Sequence, residues 1–232
     1  MLAGVEVRLE AAPGGVRVEP GEPGLADAVR RYLGSPFDLD AFAAFAATEP
    51  VLARLVPALR GFRPPLVPDG FEALVTSITA QQISLRAAFS IRNRFIRAFG
   101  RPHGRAWAFP SRERVASASE EDVAAVGLTR RKAAAVVGIA RAGLDLEALA
   151  ALPDEEVVAA LVELPGVGLW TAEWFLARRL GRPDAWPAGD LGLRKAVLHF
   201  YGEEATREAG ERFPGHRNLA AHYLLLGHRL PG

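Results

Sequence analysis

Asp190 stands directly ahead of the run LGLRKAVLHF, twenty-two residues beyond the end of the glycine turn LPGVG at 164–168. Trp170 and Trp174 follow that turn, four residues apart. These are the side chains whose types and spacing suit chemistry. An aspartate in front of a helical run is an N-cap, which accepts amide hydrogen bonds at the positive end of the helix dipole. The same placement suits a carboxylate that stabilises a developing cation or orients a water, so the two roles are compatible. The tryptophan pair admits two readings: rings packed under another helix, or an aromatic wall for a planar and preferably cationic ligand.

Such residues must be positioned by elements that the sequence also specifies. One helix is expected to end at about Val162 and the next to begin at about Leu169. The glycines between them permit a tight turn and leave the backbone amides of Gly166, Val167 and Gly168 open to a phosphate oxygen; a purely structural turn is the alternative. No strand precedes these glycines and a third glycine at dinucleotide-binding spacing is absent, which excludes that fold. On an ideal helical wheel Leu169, Ala172, Leu176 and Leu180 share an apolar face, with Trp170 and Trp174 on its flank.

The chain has 232 residues, half of them hydrophobic, enough for one large domain or two lobes around a sizeable core. It has no cysteine, which removes disulfides, thiolate nucleophiles, Cys-ligated zinc and iron-sulfur clusters. Its five histidines show no metal-ligand spacing. Of the 28 basic residues only Lys132 and Lys195 are lysines. Arginine favours fork-like contacts with phosphate or carboxylate, although GC-rich codon usage produces the same bias. The sequence begins with no basic segment followed by an apolar run and holds no stretch of ~20 apolar residues, so a cytoplasmic protein without a membrane span is expected. Residues 4–19 alternate around Pro-Gly-Gly and predict a single β-hairpin, followed by about ten helices. The Pro-rich segments at 61–70 and 181–189 are the expected crossings between lobes.

The hairpin LPGVG, the helix behind it and PAGDLGL at this separation resemble the helix-hairpin-helix DNA glycosylase superfamily. Within it the chain is similar to the alkylated-purine branch, bacterial 3-methyladenine DNA glycosylase II. The likeness extends to FEALVTSITAQQISLRAA (71–88), VGLTRRKAAAVVGIA (126–140) and FPGHRNLAAHYLLL (213–226). It implies an all-α, two-lobed fold with a short N-terminal β-hairpin over 1–20. One helical lobe is formed by 21–69 with 183–232, and a six-helix lobe carrying the hairpin by 70–182. The chain looks like a short form, because longer relatives begin with an antiparallel-sheet domain.

The resemblance also implies a function: a monofunctional glycosylase of base excision repair that flips 3-methyladenine- or 7-methylguanine-type purines out of double-stranded DNA and hydrolyses them, leaving an abasic site. Asp190 would be the essential carboxylate, with Trp170 and Trp174 lining the base pocket. Gly166, Val167 and Gly168 would grip the DNA backbone. The main-chain carbonyls of Val162, Leu164 and Val167 would hold a monovalent Na+ or K+ ion, and no other cofactor is required. Trp170 occupies the position of the lysine nucleophile of bifunctional relatives, and neither Lys132 nor Lys195 takes its place, so no lysine-dependent lyase step is expected. In TAQQIS (79–84), Gln82 stands where relatives have an apolar wedge, so Gln82 or Ile83 would fill the gap left by the flipped base. Arg86, Arg94 and Arg97 on one helix face, and TRRK at 129–132, are expected phosphate patches. Arg217 would brace the cleft or touch a phosphate, and the five histidines are read as structural or surface residues. The expected partner is damaged DNA, bound by a monomer. The competing readings are a non-catalytic damaged-DNA binding protein and a glycosylase for deaminated purines.

Overall fold

The computed structural model describes residues 5–22 and 24–230. Strands β1 (Arg8–Ala12) and β2 (Gly15–Glu19) form the expected antiparallel hairpin, with Arg8 opposite Glu19 and Ala12 opposite Gly15. Residues 1–4, which the sequence reading assigned to the same unit, lie outside the described residues.

The chain then forms α1 (Leu25–Tyr32), α2 (Leu39–Ala46), α3 (Leu52–Ala58), α4 (Gly70–Ala80) and α5 (Leu85–Phe99). A short antiparallel pair follows, β3 (Arg101–His103) and β4 (Ala106–Ala108). Next come α6 (Arg112–Ala116), α7 (Glu120–Ala125), α8 (Arg130–Arg141), α9 (Asp154–Val162) and α10 (Leu169–Phe175). The last three are α11 (Leu191–Tyr201), α12 (Thr206–Ala209) and α13 (Arg217–Gly227). The fold is thus mostly helical, as expected. The thirteen α-helices among the described residues exceed the expected ten because α6, α7 and α12, of 5, 6 and 4 residues, are too short to display a helical period. The strands β3 and β4 were missed for the same reason: three residues each show no alternation, and GRPHG reads only as a turn.

Many helix starts follow from local chemistry. Asp38, Asp69, Ser84, Ser111, Ser119 and Thr129 each accept an amide hydrogen bond as N-caps. A cap of this kind contributes about 1 kcal/mol. Helix α4 is buried on several sides through Phe71, Leu74, Val75 and Ile78, and packs against α5, α8 and α10. Helix α10 also packs on α9, while α13 packs on α3 and α11, and α2 on α3. A continuous apolar core links these groups, from Phe42 and Leu52 to Val136, Phe175 and Leu224. No described helix is long and apolar enough to cross a membrane.

Helix α10 does not end at Phe175. It continues as one π-helical turn, Leu176–Leu180, that stops at Gly181 in the left-handed conformation (φ 69°). The altered pitch is satisfied from elsewhere: the fully buried Asn218 donates from Nδ2 to the carbonyls of Ala177 (3.0 Å) and Arg182 (2.8 Å). Such turns displace side chains from the regular helical phase and often occur at functional positions.

Candidate active site

The turn between α9 and α10 is seated by small residues. Gly166 has φ 74°, and a Cβ there would lie 2.6 Å from the Cβ of Ala135 on α8. Gly138, one turn further along α8, makes room for Pro165, whose Cγ would stand 2.6 Å from a Cβ at that position. Gly168 differs: its backbone is extended, a Cβ would meet nothing within 4 Å, and it caps α10 without a side chain. The first amides of α10 therefore have no side-chain acceptor and keep open space beside them. Replacing Gly166 with Ala combines a disfavoured φ with a clash, and the expected loss is about 3 kcal/mol of folding stability. Denaturant unfolding checks this; an unchanged midpoint would show that the turn relaxes freely.

The loop after α4 is tied to that turn. Gln81 donates from Nε2 to the carbonyl of Gly166 and to Oγ1 of Thr171, both at 3.1 Å. Lys132 donates from Nζ to the carbonyls of Thr79 (3.0 Å) and Gln81 (2.6 Å), closing the end of α4. Lys132 is therefore engaged within the chain instead of standing free in a phosphate patch. Gln82 is exposed in the left-handed region at φ 55°, unusual for a residue other than glycine, with Ile83 exposed beside it. Both line the cleft described below.

Asp190 is the N-cap of α11. Its Oδ1 accepts from the amide of Leu193 at 3.0 Å, and its Oδ2 accepts from the indole Nε1 of both Trp170 and Trp174, each at 3.1 Å. Three N–H groups thus fix both carboxylate oxygens, and Asp190 enters no ion pair among the described residues. The geometry goes beyond both sequence readings of the tryptophan pair, because the polar edges of the rings hold the carboxylate. Trp174 is only 4% exposed, meets the ring of His222 edge-on at 5.5 Å, and carries the guanidinium of Arg178 on its face at 3.8 Å. The cation over Trp174 is thus the protein's own. Trp170 is half-buried. Leu169, placed on the apolar face by the wheel, is instead 48% exposed beside the hairpin, and the buried face begins at Ala172.

These groups border a cleft of about 1000 Å³, lined by the end of α4, the 81–85 loop, Gly168, the α10 continuation and the start of α11. That is room for a nucleoside-sized group. Arg178, Lys195 and Arg229 also line it, so three cations face the single carboxylate Asp190. Arg178 is open to the cleft but has protein on most sides. This crowding draws its pKa down to about 10, with Asp190 opposing the shift and Arg229 adding to it, so it is cationic at neutral pH.

Behind Trp174, His222 is buried and bonded through Nδ1 to the carbonyl of Asn218 at 2.9 Å. Burial first, and then Arg178, push its pKa down to about 3 against the weaker opposing pull of the Asn218 bond and Asp190. The unfolded chain therefore binds a proton that the native state refuses between about pH 6.5 and pH 3. Stability from this site is level above about pH 6.5 and falls as the pH drops, by about 2 kcal/mol at pH 5. Urea melts at pH 7.5 and pH 5 test this, and His222→Gln should remove most of that difference. Glu173, between the two tryptophans, is buried, pairs with Arg207 at 3.0 Å, and has its pKa raised by desolvation in spite of that partner.

The other expected contacts sort differently. Arg94 donates from Nε to the carbonyl of Val126 (2.6 Å) and from Nη1 to Ser90 (2.9 Å), while Arg97 lies over the ring of Trp107 at 5.8 Å. Of the expected trio Arg86 and Arg97 are both exposed and without a hydrogen bond or ion pair among the described residues, and of these two only Arg97 lies over an aromatic ring. Arg217 is occupied by the carbonyl of Gly210 (3.0 Å) and by Glu211 (2.8 Å), and so serves as a brace. The carbonyls of Val162 and Leu164 belong to the end of α9 and the turn, and that of Leu164 accepts the amide of Val167 at 3.1 Å. Sequence reading missed Arg178, although its spacing of four from Trp174 on one helix was a signal, and missed Gln81, for which no local signal exists.

A helix-hairpin-helix beside a cleft with one capped carboxylate defines a class of base-excision proteins. Residues 75–213 match the family described as HhH-GPD superfamily base excision DNA repair protein, and the chain belongs to that family. It is 33% identical over 190 residues to a DNA-3-methyladenine glycosylase of Bacillus subtilis, a match covering 77% of this chain and 63% of that protein. Against a second, putative DNA-3-methyladenine glycosylase of Bacillus subtilis the match covers 50% of the relative, so the chain spans about half to two thirds of these proteins. Among solved structures, a 3-methyladenine DNA glycosylase from Archaeoglobus fulgidus superposes with a TM-score of 0.86 at 31% identity, covering 97% of this chain and 82% of that one. A Schizosaccharomyces pombe 3-methyladenine DNA glycosylase in complex with abasic DNA gives a TM-score of 0.71 at 26% identity, covering 82% of this chain and 97% of that one.

Proposed function

We propose that the protein is a DNA glycosylase that flips alkylated purines out of double-stranded DNA and hydrolyses their N-glycosidic bond. The observation that carries this reading is Asp190, held by three N–H donors at the cleft beside the hairpin. A pure binding module has no use for a carboxylate fixed in this way. The names of the relatives support the same substrate class.

The sequence of events follows from the geometry. Phosphate oxygens approach the amides of Gly166 and Gly168, whereas the expected Val167 amide is spent on the carbonyl of Leu164, and exposed Arg86 adds a salt-sensitive contact. The target nucleotide rotates into the cleft while Gln82 or Ile83 occupies the space it leaves. An alkylated purine is already cationic and departs as a neutral molecule, so the enzyme need only stabilise the positive charge that develops at the sugar. Asp190 supplies the opposite charge at a fixed position, and water adds to the sugar carbon. Trp170 stands where a lysine would displace the base, which leaves that step to water. The carbonyls of Val162 and Leu164, at the C-terminal end of α9 where lone pairs are spare and the dipole is negative, would together with that of Val167 in the turn hold a monovalent cation. Such an ion would supply positive charge near the DNA backbone. In this reading the two groups of helices act as lobes flanking the cleft, and a monomer works in the cytoplasm.

Release of free bases from methylated duplex DNA tests the proposal. Expected are free 3-methyladenine and 7-methylguanine, with strand breaks only after added alkali. Binding to the damaged duplex without any release would overturn it in favour of a non-catalytic damaged-DNA binding protein.

A further inference from the structure

Two arginines line the cleft, Arg178 and Arg229, and of the two only Arg178 lies over an aromatic ring. Elsewhere in the fold Arg94, Arg112 and Arg217 spend their donors on carbonyls or carboxylates. The Arg178 side chain makes no hydrogen bond or ion pair among the described residues, lies flat enough on Trp174 to bring Cζ within 3.8 Å of the ring centre, and borders the same cleft as Asp190. Its backbone is fixed, since its carbonyl accepts the amide of Val67 at 2.7 Å within the π-helical turn. A guanidinium laid on an aromatic face loses little further freedom when it engages a ligand, and it offers five N–H donors.

The charge on the departing base decides what such a group is for. A cationic alkylpurine leaves as a neutral molecule and gains nothing from a nearby cation; it is repelled by one. An uncharged purine leaves differently. When the bond from the sugar C1′ to N9 breaks, the electron pair goes to the ring, so positive charge grows on C1′ and negative charge on the base. Asp190 answers only the first of these. Water then adds its oxygen to C1′, and its proton ends on the base, so the products are the abasic sugar and a neutral free base.

We propose that Arg178, stacked on Trp174 and open to the cleft, stabilises the departing ring of uncharged damaged purines and so extends this site beyond cationic bases. Deaminated adenine is the simplest member of that class, with ring nitrogen and O6 acceptors for the guanidinium. The proposal rests on the glycosylase reading above and adds to it the part of the site that determines which leaving-group charge is tolerated.

The test uses the whole protein and two duplexes, one carrying a single hypoxanthine and one a single 7-methylguanine, with single-turnover rates for wild type, Arg178→Met and Arg178→Lys. Wild type should release both bases. Arg178→Met should lower the ratio of the hypoxanthine rate to the 7-methylguanine rate by about tenfold or more, the effect of one lost charged hydrogen bond. Arg178→Lys, which keeps the charge, should restore most of that ratio. Should the Met variant melt below the assay temperature, Arg178→Gln carries the same comparison. An equal loss on both substrates would overturn the proposal by making Arg178 a structural residue. Release of 7-methylguanine but not hypoxanthine by wild type would overturn it while leaving the glycosylase reading intact, and release of neither base would overturn both.

Discussion

On the proposed reading Asp190→Asn should lower the rate of base release by about 10³-fold, with affinity for the damaged duplex within a few-fold of wild type. The loss has two sources that the structure separates. The first is charge: the amide removes the only carboxylate among the residues that line the cleft, which also holds Arg178, Lys195 and Arg229. The second is the hydrogen-bond count. Asp190 receives N–H groups on both oxygens, from Leu193 on one and from Trp170 and Trp174 on the other. Asparagine has one oxygen, so in either orientation its NH2 faces a donor: the Leu193 amide, or both indoles. A stability loss of about 1–2 kcal/mol accompanies the substitution. Single-turnover release at saturating enzyme, with binding and melting curves for the same variant, distinguishes the two. Base release at near wild-type rate from a well-folded Asn variant would remove the carboxylate from the mechanism.

Much of this site could be read in the sequence because its determinants are local. A glycine turn between helical runs, a cap before the next run and a tryptophan pair at helical spacing each need only a few neighbouring residues to be recognised. The structure places Val162, Gly168 and Asp190 at helix boundaries as expected. The purpose of the tryptophans was not legible, because a wheel reports which side a ring occupies and not where its N–H points. The two indoles converge on Oδ2 only because α10 and the start of α11 are brought together, 16 and 20 residues apart in the chain.

The arginine bias misled for a related reason. Read as composition, it suggests phosphate contacts, yet much of it is spent inside the fold. Arg112 alone donates to the carbonyls of Ile139, Ala140 and Leu144, where α8 ends, and Arg141 to those of Ala116 and Ala118. Arg182 does the same for Ala150 and Leu152. Helix ends leave carbonyls without intrahelical partners, and a many-helix chain with short connections has many such ends. Forked donors satisfy several at once. Which arginines are left for an external ligand is therefore a question of tertiary structure, and Arg178 reaches the cleft from a π-helical turn that no sequence period announces.

Replacing Trp170 and Trp174 separately with Phe keeps the rings and removes one indole N–H each, so the pair tests whether edge or face is in use. If the tryptophans serve to hold Asp190, each variant loses about tenfold in kcat, the effect of one hydrogen bond to a charged group. The double variant loses about 100-fold, with KM changed little because the cleft keeps its walls. The two donors share one acceptor oxygen, so the combined loss can exceed the product of the single ones, and a double-mutant cycle measures that coupling. An aromatic wall for the base predicts another outcome: Phe variants near wild type, with a rising KM once the rings are cut back to Ala. Trp174 discriminates best, since Arg178 covers its face and it is almost fully buried. Loss of kcat in Trp174→Phe with unchanged KM makes the indole a positioning residue for Asp190, whereas full activity in that variant leaves the carboxylate to be held by its cap and Trp170 alone.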